Sequence, residues 1–287
     1  MRNLVLFFVM PVLAVWGDDD VREEIRLKVG AEVAAFLKSS PVKFDSECST
    51  ELKLCFHRFK APFSRTDLPV VTVYASGREL ILDHVVGVTI YDDEVTQGHL
   101  DSVELTLRGV PSRSDVPVAK QFAYGVIHQI LDAGWARYVF PDEPRIAGRE
   151  SVNLPDCRKV FGYHVLVHPC FDPLYEMSDQ QWLGGDRFYN WYFYRDGYYL
   201  RFKVWRSRDQ KDPPGQASYL FNVEVESEQE FWSSHFKSED RSQWKALLPG
   251  LLEKYRLRRE EIETQVERAG IEIDRSYQDP PISALEH

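Results

Sequence analysis

Hydrophobic and polar residues alternate clearly in two stretches of the N-terminal half. In Leu100 to Arg108, the apolar residues Val103, Leu105 and Leu107 are separated by polar ones. A period of two is typical of a strand with one face buried and one face in water. The pattern therefore predicts a strand here and another over Leu80 to Tyr91. Weaker strand signals in this half lie at Leu52 to Phe59 and Val70 to Tyr74.

Three other stretches carry apolar residues at helical spacing. They predict an amphipathic helix over Val21 to Ser39, a second helix that begins near Ser114 or Asp115, and a long third helix over Gln243 to Ala269. The second helix is expected to end at Gly134 and the third at Gly270. A glycine just past a helix is favoured because that position adopts positive φ.

The second half opens with strand signals of its own. The sequence FYNWYFYRDGYYLRFKVWR, residues 188 to 206, predicts a β-hairpin of two aromatic strands, because Asp196-Gly197 is a strong turn signal. Shorter strands are predicted over Tyr163 to Val167 and Tyr219 to Glu226.

Both halves thus run from strands to a helix, an Ala-Gly-apolar ending and an extended segment. This order predicts an α+β fold of two related lobes, each an antiparallel sheet packed with a C-terminal helix. Residues 141 to 158 are rich in Pro, Gly and charge and are interpreted as a linker. The predicted lobes are residues 18–148 and 149–284.

The two ends of the chain are interpreted separately. Residues 1–17 hold a short positive start and an apolar run, which indicates a signal peptide or an uncleaved membrane anchor. A buried N-terminal helix is the alternative. Residues 285–287 resemble the remnant of a vector-encoded tag. The predicted location is therefore the periplasm, either free after cleavage of the signal or tethered to the inner membrane.

Four cysteines fit an exported protein. They fall as two local pairs, Cys48 with Cys55 and Cys157 with Cys170. Four cysteines allow three connectivities, of which pairing across the short loops is the simplest. An oxidising compartment favours disulfides, and four buried thiols are the alternative.

Charge and motifs narrow the classes of function. The net charge of −10 argues against nucleic acid as a partner, because phosphate binding needs clustered Lys and Arg. The chain has no nucleophile-elbow, zinc-protease, P-loop or dinucleotide-binding motif. We therefore predict no catalytic residues, no cofactor and no enzyme activity. Runs of adjacent acids, such as Asp92 to Glu94, are interpreted as solvated loops.

Cys157, His164, His168 and Cys170 are candidates for a zinc site because four possible ligands lie within fourteen positions. His164 and His168 are predicted to lie four residues apart on one strand. That spacing puts them roughly 13 Å apart at about 3.3 Å per residue, too far to share one ion. No metal site is predicted.

The remaining distinctive feature is the aromatic hairpin and the loops around it. Its second face is either covered by another layer or forms a recognition surface, since Tyr and Trp dominate interface anchors. Exposed loops are the predicted binding contacts. The residues proposed as contacts are Asp92, Asp93, Glu94, Trp182, Asp186, Arg208, Asp209 and Lys211.

Three stretches of the chain also resemble a known family. The helix ending DAGWARYV (residues 132–139), the following PRIAG (144–148) and the late RAGIEIDRSYQDPPI (268–282) look like proteins encoded beside type VI secretion lipase effectors. Members of that family are periplasmic immunity or accessory proteins of Gram-negative bacteria.

The resemblance implies an exported two-lobed protein that binds a toxic phospholipase and blocks its active-site mouth. It assigns no contact residues. Two other functions stay open: an adaptor that loads the effector for secretion, and a periplasmic hydrolase with an unrecognised carboxylate site. A protein partner is expected under the first two, and a possible membrane tether lies in residues 3–16.

Overall fold

The computed structural model describes residues 22–51, 53–93, 96–154, 157–185, 187–207, 213 and 215–285. Within them the helices are α1 Val33–Ser39, α2 Val116–Asp132, α3 Asp179–Gly184, α4 Glu228–Ser233 and α5 Trp244–Arg268. The strands are β1 Glu24–Lys28, β2 Asp45–Ser49, β3 Leu54–Lys60, β4 Val70–Ala75, β5 Arg78–Leu82, β6 Val85–Asp93, β7 Ser102–Leu107, β8 Ser114–Asp115, β9 Ala136–Arg137, β10 Lys159–Val160, β11 Tyr163–His164, β12 Phe188–Arg195, β13 Tyr198–Arg206, β14 Gln216–Ala217 and β15 Tyr219–Ser227.

One eight-stranded antiparallel sheet joins the two halves of the chain. Its strand order is β2-β3-β6-β7-β15-β13-β12-β9, and β7 of the first half pairs directly with β15 of the second. The α+β class is confirmed, with large antiparallel sheets and a long C-terminal helix. The prediction of a separate sheet in each lobe is not confirmed, because the strands of both halves form one ladder. A smaller sheet, β1-β4-β5, contains the parallel pair β1-β4.

The large sheet is covered differently on its two faces. Helix α2 buries Ala123, Ile127 and Ile130 in the main core, against one face of the sheet. Helices α4 and α5 cover part of the other face, where Tyr199 of β13 packs with Phe231 of α4. The alternation predicted for β7 is confirmed, since its odd-numbered residues from Val103 to Leu107 are buried.

The aromatic hairpin is confirmed, with β12 and β13 joined through Asp196 and Gly197 at φ of +46° and +83°. Trp191 on one face and Tyr199 on the other are both buried. The covering-layer interpretation is therefore right for this hairpin, and its rings form core on both sides. At its far end Phe188 is exposed.

Both predicted glycine helix ends are confirmed. Gly134 follows α2 at φ +88° and Gly270 follows α5 at φ +79°. After α2, the N–H of Trp135 turns back to the carbonyl of Ile130 at 3.3 Å, and Trp135 is buried. This is the backward-folding helix end that the sequence predicts.

The long N-terminal helix predicted over Val21 to Ser39 is wrong in its first half. Ile25 and Leu27 lie in strand β1, and both side chains are fully buried. Gly30, at φ +86°, separates this strand from the short helix α1. The apolar positions here fit both the helical period of 3.6 residues and the strand period of two. Pairing of β1 with β4 selects the strand.

Two strand predictions also change. The single strand predicted over Leu80 to Tyr91 is β5 and β6, which belong to different sheets and are separated at His84, φ +63°. The strand predicted over Tyr163 to Val167 is only the two-residue β11. The predicted signal or anchor segment lies outside the described residues.

Both local disulfides are confirmed. Cys48 bonds to Cys55 across the neighbouring strands β2 and β3, and Cys157 bonds to Cys170 in the long connection between β9 and β12. Disulfides are typical of proteins that function in an oxidising compartment.

Candidate functional site

The structure does not place all of the predicted contact residues in exposed loops. Trp182 is fully buried and stacks on Tyr189, with ring centroids 4.6 Å apart, so the prediction that it lies in an exposed loop is wrong. A capping box at Ser178 starts helix α3 and turns the indole inward. Glu94, Asp186, Arg208, Asp209 and Lys211 lie outside the described residues.

Asp92 and Asp93 shape their own loop. Asp92 accepts a hydrogen bond from the Gly98 amide at 3.1 Å, and Asp93 accepts one from the Thr96 amide at 2.8 Å. Asp93 also pairs with Arg241 at 3.3 Å. Both are half-buried, so their first role is to hold the loop after β6.

A more distinctive surface lies in residues 148–185, which we call the braced segment. Although little of it belongs to the large sheet, this segment carries five of the large hydrophobic side chains that are exposed on the described part of the chain. These side chains are Val152, Phe161, Leu166, Leu174 and Leu183. Leu174 is 76% exposed and Val152 69%. Five exposed apolar side chains within one short stretch of sequence make this segment a candidate interaction surface.

Phe161 stands at the tip of a two-residue hairpin between β10 and β11. Val160 pairs with Tyr163, and both tip residues have positive φ, +49° for Phe161 and +87° for Gly162. Asn, Asp and Gly are preferred at the first of these positions, and a bulky side chain there is a genuine outlier. Such a conformation costs about 1–3 kcal/mol and is found preferentially at functional sites. The ring is nonetheless 43% exposed.

The sequence prediction missed this turn. Phe161-Gly162 carries a glycine at the second turn position, but the flanking strands have only two residues each. The strong hairpin signals are Asn-Gly and Asp-Gly between long alternating runs. A Phe-Gly dipeptide between such short strands is too weak a pattern to predict a hairpin.

Helix α5 fixes the hairpin from one side. Arg258 donates to the His164 carbonyl at 2.9 Å. The Tyr163 hydroxyl donates to Glu261 at 2.7 Å and accepts from Gln265 at 2.8 Å. These three helix residues are three and four positions apart, so they share one face of α5.

The base of the hairpin is buried, whereas its tip is exposed. Val160 is fully buried in a small apolar core that includes Ile262 and Val266 of α5. The Cys157–Cys170 disulfide, itself buried, ties the residues before β10 to those after β11. The tip therefore projects from a fixed base.

The side chain of Glu143 stabilises the connection that follows β11. Its carboxylate accepts hydrogen bonds from the amides of Leu166 and, at 2.9 Å, Val167. Burial raises the pKa of Glu143 to about 7, although these two backbone donors oppose the rise. A buried side chain thus satisfies two loop amides that have no strand partner.

The residues that carry the family resemblance meet at the foot of the braced segment. Arg137 pairs with Asp172 at 3.1 Å and with Asp274 at 3.3 Å, and donates to the Ile146 carbonyl at 2.8 Å. Ile146 also forms an isolated β-bridge with Ile273. The segments that follow helices α2 and α5 therefore contact each other, and we call this contact around Arg137 the joint.

Beside this joint lies an open cavity of about 810 Å³, which we call the Arg137 cavity. Arginines and carboxylates share its wall, and the deepest are already paired with one another. The charged residues are Arg137, Arg149, Asp172, Glu267, Glu272, Asp274 and Arg275. Mutual pairing leaves this cavity without a single dominant sign of charge.

Among the described residues, one group of His and Cys side chains is close enough to hold a metal ion. Cys157, His168 and Cys170 come within 4.8 Å of one another, but the disulfide occupies both sulfur atoms. Burial raises the pKa of Glu143 to about 7 and of Glu226 to about 8. Neither of these two carboxyls lines the Arg137 cavity.

None of the family models, curated proteins or solved structures compared with this chain matches it. Among the described residues, the helices all fall short of the length and apolar character that a membrane span requires. Function must therefore be argued from the site.

Proposed function

We propose that this protein is a periplasmic immunity protein that binds a type VI secretion lipase effector and occludes its active-site mouth. The observation that carries the proposal is Phe161, an exposed aromatic ring held in a costly turn conformation at the tip of a fixed hairpin. Strain of this kind persists where the surrounding structure enforces it. A projecting apolar anchor suits an inhibitor that enters a cleft.

The surroundings of Phe161 are consistent with an anchor. Aromatic residues in well-packed pockets dominate interface energetics, and a rigid anchor loses little conformational entropy on binding. Leu166, in the same braced segment, adds a second exposed apolar group. Arg158 and Lys159 are exposed beside the tip of this otherwise acidic chain. A receiving cleft that is apolar with an acidic rim would complement them.

An adaptor that loads the effector would use the same surface, so binding by itself does not distinguish the two roles. Protection of cells from the effector does. The hydrolase alternative gains no support, because the two carboxyls with strongly raised pKa do not share the Arg137 cavity.

The test is co-expression with the lipase effector that this proposal places in a neighbouring gene, followed by measurement of complex formation and of cell survival. We expect a stoichiometric complex and protection. Phe161→Asn should weaken binding by at least about 30-fold, as expected for an anchor that contributes about 2 kcal/mol. Asn tolerates positive φ, so the variant should fold at least as well as the wild type.

Phe63→Asn is the matched control, because Phe63 is 94% exposed in a loop away from the braced segment. It should bind and protect like the wild type. Equal binding by the Phe161 variant would contradict the role of the tip while leaving the inhibitor function intact. Absence of any complex with the effector would contradict the inhibitor function itself. A complex without protection would favour the adaptor.

A further inference from the structure

A second cavity, of about 370 Å³, lies between helix α5 and the C-terminal tail, far along the chain from the braced segment. We call it the Tyr138 cavity. Its wall is mainly apolar and includes Tyr138, Tyr199, Trp232, Leu252, Arg259 and Ile282. The volume falls within the range of pockets that bind small molecules, about 300–1,000 Å³.

The tail that forms one side of this cavity is tied down. The amides of Ser283 and Ala284 donate to the Glu228 carboxylate at 2.8 and 3.0 Å. The Tyr194 hydroxyl donates to the Pro281 carbonyl at 3.2 Å. These bonds hold Ile282 opposite Leu252, so the cavity has a defined wall on both sides.

The charged groups in the wall, which are Arg256, Arg259 and Asp279, are already paired. Arg256 pairs with Glu253 at 2.7 Å and also with Glu260. Arg259 donates to both oxygens of Asp279, at 2.6 and 2.9 Å, and to the Phe140 carbonyl at 2.7 Å. Because this guanidinium is neutralised in place, an anionic guest would gain little from it. The wall therefore favours an uncharged molecule.

One phenol group leaves hydrogen-bonding capacity at the cavity. The Tyr199 hydroxyl accepts from the Trp232 indole N–H at 2.9 Å, which leaves its own O–H to donate. The hydroxyl of Tyr138 is fully buried and is not reached from the cavity. An acceptor on a guest would therefore form its hydrogen bond with the Tyr199 hydroxyl.

We propose that the Tyr138 cavity binds a small uncharged molecule with an apolar body and one hydrogen-bond acceptor, such as an aromatic or short aliphatic ketone or ester. The apolar body packs against Trp232, Leu252 and Ile282, and the acceptor oxygen accepts a hydrogen bond from the Tyr199 hydroxyl. Nothing in this proposal depends on the partner of the braced segment.

Acetophenone and ethylbenzene are suitable probes, since they have similar shape and differ by the carbonyl acceptor. Binding of each to the full chain would be measured by NMR titration, with benzoate as the charged comparison. We expect acetophenone to bind about tenfold more tightly than ethylbenzene, the value of one net hydrogen bond, and benzoate to bind weakest.

Two substitutions test the location. Leu252→Trp fills the cavity and should weaken acetophenone binding by at least about tenfold. Leu257→Trp, on the solvent side of the same helix, should leave binding unchanged. If circular dichroism shows that Leu252→Trp does not fold, Ile282→Trp fills the cavity from the opposite wall. Equal affinity in the filled and control variants, or no binding of either probe to the wild type, would overturn the proposal.

Tyr199→Phe tests the donor. The preference for acetophenone over ethylbenzene should fall towards one, while binding of ethylbenzene stays unchanged. An undiminished preference would overturn the assignment of Tyr199 as the donor.

Discussion

At the scale of single residues, Gly148 shows why the PRIAG stretch contains a glycine. Its amide donates to Asp172 at 2.8 Å. A Cβ added at this position would lie 2.3 Å from the Cβ of Tyr175 and 2.7 Å from that of Asp172. Two chain segments thus meet with no room for a side chain, at the joint that supports the braced segment.

We expect Gly148→Ala to lower the free energy of unfolding by about 1–3 kcal/mol or more, the usual cost of overpacking. Gly125→Ala is the matched control, because its added Cβ meets nothing within 4 Å in the middle of α2. That change should raise stability by about 0.5–1 kcal/mol, since alanine is the better helix former. Urea denaturation of both variants measures the difference, and a harmless Gly148→Ala would contradict the close contact.

At the scale of elements, the disulfide and α5 hold the β10–β11 hairpin where backbone pairing alone would be too weak. A two-stranded hairpin with two residues a strand is not stable in isolation. Here it depends on Cys157–Cys170, on the apolar base at Val160 and on the polar contacts to α5. The rigidity proposed for the Phe161 tip is therefore a tertiary property.

Replacing both Cys157 and Cys170 with alanine should lower the free energy of unfolding by about 3 kcal/mol, the loop-closure value for a span of this length. Hydrogen exchange should also accelerate in residues 157–170. Alanine at Cys48 and Cys55 is the control: it should cost somewhat less, and it should leave exchange in residues 157–170 unchanged. Unchanged exchange after loss of the first pair would show that the disulfide does not brace the tip.

At the scale of the whole molecule, this acidic chain has carboxyl groups in buried positions, where their charged form is disfavoured. Glu226 lies near Glu224 and Glu230, and Arg201 and Arg241 offset only part of their effect. Burial is the main cause that raises the pKa of Glu226 to about 8, as burial raises that of Glu143 to about 7. Both groups are protonated more readily in the folded chain than in the unfolded one.

A raised carboxyl pKa contributes stability below the unfolded value and loses it as pH rises through the folded value. We therefore expect the free energy of unfolding to fall between pH 6.5 and 8.5, by up to about 1.4 kcal/mol per pH unit for each group titrating. His57 and His235 have lowered pKa, so their titration changes the free energy of unfolding below this pH window. Urea midpoints across the window measure the slope, and Glu226→Gln should flatten its upper part. A slope that is absent in the wild type would contradict these assignments.

The sequence alone was sufficient to predict features that depend only on neighbouring residues. It predicted the hairpin at Asp196-Gly197, the ends of α2 and α5 at Gly134 and Gly270, and both disulfides. Turn and cap residues act over a few neighbours, so their meaning survives without knowledge of the fold. Two short cysteine loops likewise left a simplest pairing.

The tertiary structure decided everything that depended on distant contact. Strands β7 and β15 come from different halves and still share one ladder, whereas the local order suggested a sheet in each half. Trp182 is buried and Phe161 is exposed, because packing against β12 and α5 determines which apolar side chains remain in water. Periodicity records which positions are apolar, but only the arrangement of the surrounding elements determines which of them are covered.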